Sequence, residues 1–589
     1  MFAILLGMDS PRRTLRIINS RFALGVASAI ALSLLSPAMP SSAATIDEHW
    51  EAPSSTSANQ LGVIFDDRAE YGAVGALTGA VNEGGWQSKV CLSLEDSRCA
   101  NAAYFSFKAM LAPCANESDN NCIDAVVAIK SDGSRVVGKF SRYVTTDKST
   151  YFDGSATLGV PDSRAESLWT FEGITHSGGS NFLISALLDG THKNGRSPKF
   201  DRLQSTIQPV SEVQDPSFRR IRAVDVPLTF MTDQDITNQL AWTGGASGNL
   251  AKNCASSADG VCFQRESFPS ELKFALKIRS SQSIGGWIHG RMKSPDVALG
   301  GSGNKWTIEV TGEPIQVPVV AYWGNRTELS PEILQAYSTR PGTYFTPGNS
   351  VRYQTNGNFS QEQIDLFSLW IPYIKDKANA NPKMWMYGSL TPERLIGAAQ
   401  GLGTASSCLI DAKGLTGVVT TNATIYNGAM PTFSASDGVL NYKVSAPHFA
   451  ADGSDFQGTY DLVLRSDIAR CIYQFSSAPI SATVNVTSSD GGVQKITSTV
   501  LNEANGWLHL GAYGFGFSAP TLKIKLAQEK VAPVAVPAPS PAPIITPVVV
   551  APVIAKPTAV SKTITCTKGK TTKKISGLKP VCPAGYKQK

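Results

Sequence analysis

The sequence predicts a mainly β protein of multidomain antiparallel β-sandwiches, one of them immunoglobulin-like, with a helical insertion and a Pro-rich linker to a small basic tail. Three observations predict this fold class. Short runs rich in Val, Ile, Phe and Tyr alternate with Gly, Asp and Asn turns through most of the chain. The apolar periodicity becomes helical near residue 328, and eight prolines fall within residues 533–557. The charged fraction, 17%, excludes a solvated, disordered chain.

The N-terminal residues 1–44 have the composition of a secretory signal peptide. Four arginines precede a stretch of apolar and small residues at 22–35, and a Ser-Ala-Ala sequence ending at residue 44 offers a cleavage site. The apolar stretch is shorter than the roughly 20 residues of a membrane span, so an uncleaved anchor is the less favoured alternative. No later stretch is long and apolar enough to cross a bilayer. We therefore expect an exported protein without a transmembrane helix after signal cleavage.

Residues 45–225 and 226–327 are predicted as two β-rich domains, the first with local disulfides. The first contains the runs LGVIF, AYFSFKAML, DAVVAI, SLWTFEGI and FLISALL. The second contains VPLTFM, ELKFALKIR, GGWIHGRM and KWTIEV. In ELKFALKIR the apolar residues Phe274, Leu276 and Ile278 alternate with other positions that are mostly basic. This pattern predicts a strand with one buried face and not a basic surface patch.

Residues 328–405 interrupt the β pattern and are predicted to be a helical segment. Ser330, followed by a proline and a glutamate, is typical of a helix N-terminus. A second helix is predicted after Ser360 and must kink or end at Pro372, and a third begins at Thr391. Such an insertion either carries function or covers an exposed sheet, and the second role is the favoured one.

Residues 406–527 return to short strands, such as TYDLVLRS, SATVNVTS, GWLHLGAYGFGF and TLKIKLA. The regular spacing of these runs predicts an immunoglobulin-like sandwich. Cys408 at its start and Cys471 in its middle are predicted to join the two sheets. This is a likeness of fold alone and implies no activity.

Residues 528–558 are predicted to be a Pro-rich linker, and residues 559–589 a Lys-rich, disulfide-closed tail module. The alternation of Pro with Ala and Val in the linker favours polyproline II, a semi-rigid spacer of about 3.1 Å per residue. The tail has the pattern of a small β-hairpin with its own pair of cysteines.

Ten cysteines in a chain that is predicted to be exported indicate a disulfide framework. Three neighbouring pairs each enclose seven residues, and none of the pairs has the roughly two- to four-residue spacing of zinc ligands. Crossed connectivity within residues 91–122 is an open alternative. The predicted pairs are Cys91 with Cys99, Cys114 with Cys122, Cys254 with Cys262, Cys408 with Cys471, and Cys566 with Cys582.

The net charge of +6 is unevenly distributed along the chain. Residues 556–589 hold nine lysines and no acidic residue, and the signal peptide has a net charge of +3, which leaves about −6 on residues 45–555. Only the tail is therefore a candidate for binding an anionic partner. Arginine and aromatic residues are nearly absent from it, so nucleic acid is not a predicted partner. A merely solubilising terminus is the alternative. The residues predicted to bind anionic cell-wall polymers or surface glycans are Lys568, Lys570, Lys573, Lys574 and Lys579.

The tail sequence TITCTKGKTTKKISGLKPVCPAGYK, with the preceding YDLVLRSDIARCIYQF and GWLHLGAYGFGFSAPTLKIKLA, resembles recurring C-terminal elements of large exported surface proteins of actinobacteria. The resemblance is most specific over residues 562–587. Over residues 406–527 it is a general similarity of sequence style. That family is uncharacterised, so the resemblance implies a cell-envelope context and no activity. It brings no catalytic residues to this sequence.

Motifs for catalysis and cofactor binding are absent from the sequence. The Gly-rich stretches at 244–248 and 300–303 lack the spacing of a nucleophile elbow, and no phosphate loop or dinucleotide fingerprint occurs. The sequence THSGG around His176 predicts a Gly-rich hairpin with a surface histidine. His289 and His509 alternate with tryptophan on predicted strands, which favours half-buried strand histidines. No catalytic residue, cofactor or metal site is therefore predicted.

Paired carboxylates are the remaining candidates for chemistry, because glycoside hydrolysis uses two of them. The candidate pairs lie in turn-like stretches, where Asp supplies local hydrogen bonds. They are Asp66 with Asp67, Asp233 with Asp235, and Asp452 with Asp455. Together with Asp461, the last pair is a weak match to a calcium loop, since the terminal Glu is missing.

The sequence therefore predicts a secreted protein of the cell wall or cell surface with a binding, adhesion or structural role, whose tail contacts anionic wall polymers. The alternative is a secreted polysaccharide hydrolase with its site near the helical segment 328–405. Enzyme activity is the less favoured of the two. A concave site with two carboxylates would favour the hydrolase, whereas flat sheets with exposed aromatic residues would favour the binding protein.

Overall fold

The structure is a computed structural model of the 589-residue chain. It describes residues 46–53, 56–57, 59–69, 75–82, 89–147, 151–216, 218, 253–338, 344–346, 349–354, 361–391, 405–410, 412–476, 480–487, 493–494, 496, 498–517, 521–528, 562–569, 571–577 and 579–588. Several predictions lie outside these residues. They are the signal peptide (1–44), residues 226–252 with Asp233 and Asp235, the third helix beyond residue 391, nearly all of the linker (529–558), and Lys570.

The described chain is mainly β, as predicted. The strands of its first half are β1 (Gln60–Phe65), β2 (Ala76–Ala80), β3 (Lys89–Cys91), β4 (Tyr104–Met110), β5 (Cys122–Ile129), β6 (Arg135–Val137), β7 (Lys139–Tyr143), β8 (Ser167–Thr170), β9 (Phe182–Lys193), β10 (Lys199–Gln214), β11 (Cys254–Ala258), β12 (Val261–Arg265), β13 (Lys273–Ser280), β14 (Gly286–Arg291), β15 (Lys293–Ser302), β16 (Lys305–Glu313), β17 (Ile315–Gln316) and β18 (Val320–Asn325). Those of its second half are β19 (Tyr344–Thr346), β20 (Asn349–Gln354), β21 (Lys383–Met384), β22 (Met386–Leu390), β23 (Leu415–Thr421), β24 (Ile425–Tyr426), β25 (Thr432–Ser434), β26 (Val439–Ser445), β27 (Gly458–Arg465), β28 (Ile480–Thr487), β29 (Val493–Gln494), β30 (Ser498–Ala504), β31 (Trp507–Phe515), β32 (Thr521–Gln528), β33 (Lys562–Lys568), β34 (Thr571–Gly577) and β35 (Lys587–Gln588).

The α-helices of the described residues are short. They are α1 (Pro331–Ser338), α2 (Gln361–Trp370), α3 (Ala405–Ile410) and α4 (Ser466–Tyr473), and 3-10 turns lie at Asp47–His49, Asp67–Ala69 and Ser97–Cys99. Among the described residues, none of the helices has the length and apolar character needed to cross a membrane.

The helical segment covers a sheet. Ser330 caps α1 by accepting the N–H of Ile333 on its hydroxyl at 3.4 Å, and α2 ends two residues before Pro372. Both helices pack their apolar side chains on a four-stranded sheet in the order β18-β1-β20-β19. The shared core includes Trp370 and Leu61, both fully buried. Strands β19 to β22 also lie within residues 328–405. The segment was predicted to be helical, and it is instead a mixture of helices and strands.

A sheet of fifteen described strands forms the centre of the larger unit. Its main path is β3-β2-β4-β9-β10-β22-β14-β23-β27-β31-β30, and β7, β8, β11 and β12 pair beside that path. The described strands pair antiparallel, as predicted, apart from β1 with β20 and β14 with β23, which are parallel. The predicted strand ELKFALKIR is β13, and its residues Phe274, Leu276 and Ile278 are buried.

Two smaller sheets cover the two faces of the large sheet. The five-stranded sheet β15-β16-β13-β5-β6 shares one core with it, and the six-stranded sheet containing β26, β32 and β28 shares another. On β27, Val463 belongs to the first core while Leu462 and Leu464 belong to the second. This alternation follows from the two-residue period of a strand, which sends successive side chains to opposite faces.

Strands from all four predicted body segments join the large sheet. Strand β9 comes from 45–225, β14 from 226–327, β22 from 328–405, and β27 from 406–527. The chain instead divides into one compact unit, Met1–Glu529, and a second one, Lys530–Lys589. Composition and turn signals are local, so they do not reveal which distant strands pair. The immunoglobulin-like topology of residues 406–527 stays a prediction.

The five disulfides are the five predicted pairs, and those within residues 91–122 are not crossed. One detail of the prediction is wrong. The bond between Cys408 and Cys471 joins α3 to α4, and not two sheets. Both helices are short and lie between strand-like sequences, so the sequence pattern did not indicate them.

The second unit has a three-stranded sheet in the order β34-β33-β35, closed by the disulfide between Cys566 and Cys582. Strands β33 and β34 form the predicted hairpin.

Candidate functional site

A groove of about 830 Å³ lies between β15 and the exposed end of the large sheet. Its floor is the face of β27, β31 and β30, and its wall is β15, an edge strand of the five-stranded sheet. On β31 the side chains of Trp507, His509 and Tyr513 point to this face, whereas the alternate residues belong to the core on the other side. The groove exists because the five-stranded sheet ends at β15 and leaves part of this face uncovered.

Strand register arranges the floor in rungs. Asp461 on β27 pairs with Gly511 on β31, which pairs with Val500 on β30. The next rung places His509 between Val463 and Asn502. Cross-strand partners lie about 5 Å apart on one face, so these side chains line a continuous surface.

Asp461 is the most perturbed acid of the groove. It is only 5% exposed, and its two carboxyl oxygens accept the Tyr513 hydroxyl at 2.5 Å and the backbone N–H of Ser294 at 3.2 Å. Burial raises the pKa of Asp461 to about 7, against the lowering effect of these hydrogen bonds. A large share of the Asp461 side chains is therefore protonated and uncharged at neutral pH.

Gly511 permits the contact between Tyr513 and Asp461. A Cβ atom at position 511 would lie 2.4 Å from the Tyr513 hydroxyl, closer than non-bonded Cβ contacts allow, so the tyrosine side chain would have to move. The phenol therefore crosses the rung of Gly511 to reach the carboxyl on the neighbouring strand. Burial, followed by the charge of Asp461, raises the pKa of Tyr513 well above its ordinary value, so the phenol stays a proton donor.

Charged and aromatic groups line the rim of the groove. The Lys293 ammonium lies 5.1 Å from the centroid of the Tyr513 ring, a cation–π distance. Nε2 of His509 lies 3.9 Å from the Asp296 carboxylate, whose side chain is 70% exposed. With the half-buried Trp507, the groove combines an aromatic face with hydrogen-bond donors and acceptors. That combination suits a ligand rich in hydroxyl groups.

The two predicted carboxylate pairs that lie within the described residues, Asp66 with Asp67 and Asp452 with Asp455, are not brought into this groove. Asp66 and Asp67 are buried and bound by arginines, Asp66 by Arg68 at 2.6 Å and Asp67 by Arg291 at 2.7 Å. Asp452 accepts the hydroxyl of a nearby serine in an exposed turn, as predicted for a turn aspartate. The described residues hold no group of three His, Cys, Asp or Glu side chains arranged for a metal ion.

The three histidines singled out in the sequence lie in separate places. His289 on β14 is fully buried and bonded to the Tyr426 hydroxyl at 2.8 Å. Burial lowers its pKa to about 3, with Arg202 and Arg291 adding to the effect, so it stays neutral. His176 lies in the predicted hairpin turn and contacts the carbonyl oxygen of residue 181 at 2.9 Å. Only His509 reaches the groove.

The tail lysines divide between the two faces of the small sheet. Lys573 pairs with Cys566 and so lies on the same face as Lys568, whereas Lys574 pairs with Thr565 and lies on the other. All three lysines are exposed. The ammonium of Lys573 lies 5.5 Å from the centroid of the Tyr586 ring. Lys579 is exposed beyond the hairpin.

Sequence reasoning missed most of the groove. Of the residues that line the groove, sequence reasoning named only His509 and Asp461. It named Asp461 as part of a turn-like calcium loop. The signal that was present is the alternation in GWLHLGAYGF, which puts Trp507, His509 and Tyr513 on one face of a strand. Nothing local indicates that β15, more than 150 residues away, forms the opposite wall.

Comparison with known protein families finds none that matches the chain, and comparison with curated proteins finds no match to it either.

Proposed function

We propose that this protein is an exported, cell-envelope-associated binding protein that holds a polysaccharide chain in the groove and contacts anionic wall polymers through its Lys-rich tail. The groove between β15 and β31 carries the proposal. Five disulfides support a location outside the cytosol, because such bonds persist in oxidising compartments.

The dimensions and chemistry of the groove favour a polysaccharide. Its volume of about 830 Å³ lies in the upper part of the range of roughly 300–1,000 Å³ for ligand sites. Its polar groups, among them Asn502, His509 and Asp296, alternate with the apolar face of Trp507. A sugar ring offers hydroxyl groups at its edge and a C–H face above and below, and these match the two kinds of lining.

Removal of the aromatic face tests the groove. We expect Trp507→Ala to weaken binding of the mature protein to purified cell-wall polysaccharide at least tenfold in a pull-down titration. The matched control is Phe140→Ala, which removes a partly exposed aromatic ring on β7, outside the groove. Equal affinity of the two variants, with melting temperatures unchanged, would exclude the groove as the binding site.

Lysine substitution tests the tail. Replacing Lys568, Lys573, Lys574 and Lys579 with Gln should reduce binding to cell walls at low salt and flatten its decline as salt rises, because ionic contacts are screened. Substituting Thr571 and Thr572 with Ser keeps the charge and is the control. A salt dependence that is the same in all forms would make the tail a solubilising end.

One observation favours hydrolysis as a second candidate function. Asp461, protonated in large part at neutral pH, and the exposed Asp296 are two carboxyl groups in one groove, as acid and base are in glycosidases. Among the described residues, none from 328–405 lines this groove, so it is not the location first expected for a hydrolase. Release of reducing ends from wall polysaccharide that is lost in both Asp461→Asn and Asp296→Asn would favour the hydrolase. Binding without release favours the binding protein.

A further inference from the structure

A second, smaller pocket adjoins the groove and differs from it in chemistry. It has a volume of about 390 Å³ and, of the described lining residues, shares only Leu299 with the groove. We call it the Lys413 pocket, and its described lining is Ser280, Ser283, Ile284, Leu299, Trp306, Thr307, Ile308, Lys413, Gly414, Leu415 and Arg465.

The exposure of these residues gives the pocket a floor and a mouth. Ile308 and Leu415 are buried at 1% and 0% and belong to the main core, so they form the floor. Ser283 and Lys413 are exposed, and Leu299 is 45% exposed, so they mark the mouth. The pocket thus runs from a charged opening to an apolar end.

The two cations of the pocket are not equivalent. The Arg465 guanidinium is bound by Asp467 through Nε at 2.6 Å and Nη2 at 2.9 Å, and its Nη1 donates to the carbonyl oxygen of Lys413 at 2.7 Å. Among the described residues, the ammonium of Lys413 has no acidic partner. The charge at the mouth that is available to a ligand is therefore that of Lys413.

We infer that the Lys413 pocket binds a single-chain anionic amphiphile of the fatty-acid type, with its carboxylate at Lys413 and its chain over Ile308 and Leu415. The volume of about 390 Å³ lies within the range of small-molecule sites and admits part of an alkyl chain. An apolar lining with one cation at its opening is complementary to that shape and charge. A glycan chain is less complementary, because Ile308 and Leu415 at the floor offer its hydroxyl groups no partner.

Charge reversal at the mouth tests the pocket on the full mature chain. Isothermal titration with monomeric dodecanoate should give saturable binding, at least tenfold tighter than binding of dodecyltrimethylammonium. Lys413→Glu should reverse this preference. Lys305→Glu, at an exposed lysine on β16 outside the pocket, should leave it unchanged.

Steric closure of the mouth is the second measurement. Ser283→Trp should weaken binding of both amphiphiles at least tenfold while the melting temperature stays that of the wild type. Trp507→Ala in the groove should leave dodecanoate binding unchanged, which separates this site from the proposed polysaccharide site. Absence of saturable dodecanoate binding, or equal effects of Lys413→Glu and Lys305→Glu, would overturn the inference. So would binding to anionic phospholipid vesicles without binding to monomeric dodecanoate.

Discussion

The buried carboxyl of Asp461 makes the stability of this protein depend on pH in a specific way. A shift of one pKa unit corresponds to about 1.4 kcal/mol. Raising the pKa of Asp461 from 3.8 to about 7 therefore lowers the free energy of unfolding by about 4 kcal/mol at pH values where the carboxyl is ionised in both the folded and the unfolded state. Between about pH 4 and pH 7 the folded protein retains a proton that the unfolded chain has released. The free energy of unfolding therefore falls as pH rises through this window and is level above it.

Asp461→Asn removes this titration and keeps the shape of the side chain. The stability of the variant relative to the wild type should increase by about 4 kcal/mol from pH 4 to pH 8. Unfolding entropy is about 2.1 cal/mol/K per residue, so for a cooperative unit of roughly 500 residues this amounts to about 4 °C in melting temperature. Any fixed effect of the new amide is the same at every pH and drops out of the comparison.

Melting temperatures of both proteins, measured by circular dichroism at half-unit steps from pH 4 to pH 8.5, check this prediction. The control is Asp296→Asn, which removes an exposed carboxylate from the same groove and should run parallel to the wild type. If the Asp461→Asn curve also runs parallel to the wild type across the whole range, the carboxyl is ionised at its ordinary pH and the argument from burial is wrong.

Three further variants test the fold. Arg291→Met removes the guanidinium that donates to the buried Asp67 carboxylate and to the carbonyl oxygen of Thr421, and should lower the free energy of unfolding by about 3–5 kcal/mol in a guanidinium titration; a loss below about 1 kcal/mol would mean that this pair is not buried as described. Replacing Cys408 and Cys471 together with Ser opens a link of sequence separation 63, and should reduce stability by about 4 kcal/mol under oxidising conditions and not at all in excess reductant. Leu276→Ala removes a fully buried side chain between the two sheets of the main core and should reduce stability by about 2–5 kcal/mol, whereas an unchanged midpoint would contradict its burial.

The groove arises at the boundary between a covered and an uncovered part of one sheet face. The same strands that bury Leu462 and Leu510 on one side expose Trp507 and His509 on the other. The ligand site that we propose there has its polar groups on rigid strands, which favours precise contacts over those made by loops. The tail, by contrast, presents its lysines on both faces of a small disulfide-closed sheet, and the contacts that we propose with a repeating anionic polymer would be many and individually weak.

Features encoded within a few residues were predictable from the sequence. The alternation in ELKFALKIR determined a strand and its buried face, Ser330 determined the start of α1, and cysteines separated by a short turn determined three of the disulfides. In each case the physical cause is local: side chains alternate on a strand, a hydroxyl caps a nearby N–H, and a short loop brings two thiols together.

Features that depend on distant partners were decided only by the tertiary structure. The sequence predicted separate domains because turns and composition change along the chain, yet β9, β14, β22 and β27 join one sheet through hydrogen bonds between distant residues. The pKa of Asp461 likewise depends on the wall that β15 builds over it, since burial is a property of the assembled fold. The sequence around an aspartate does not indicate whether water or a neighbouring strand lies above its side chain. In this protein β15 lies above Asp461, and the resulting burial makes this residue the central acid of the groove.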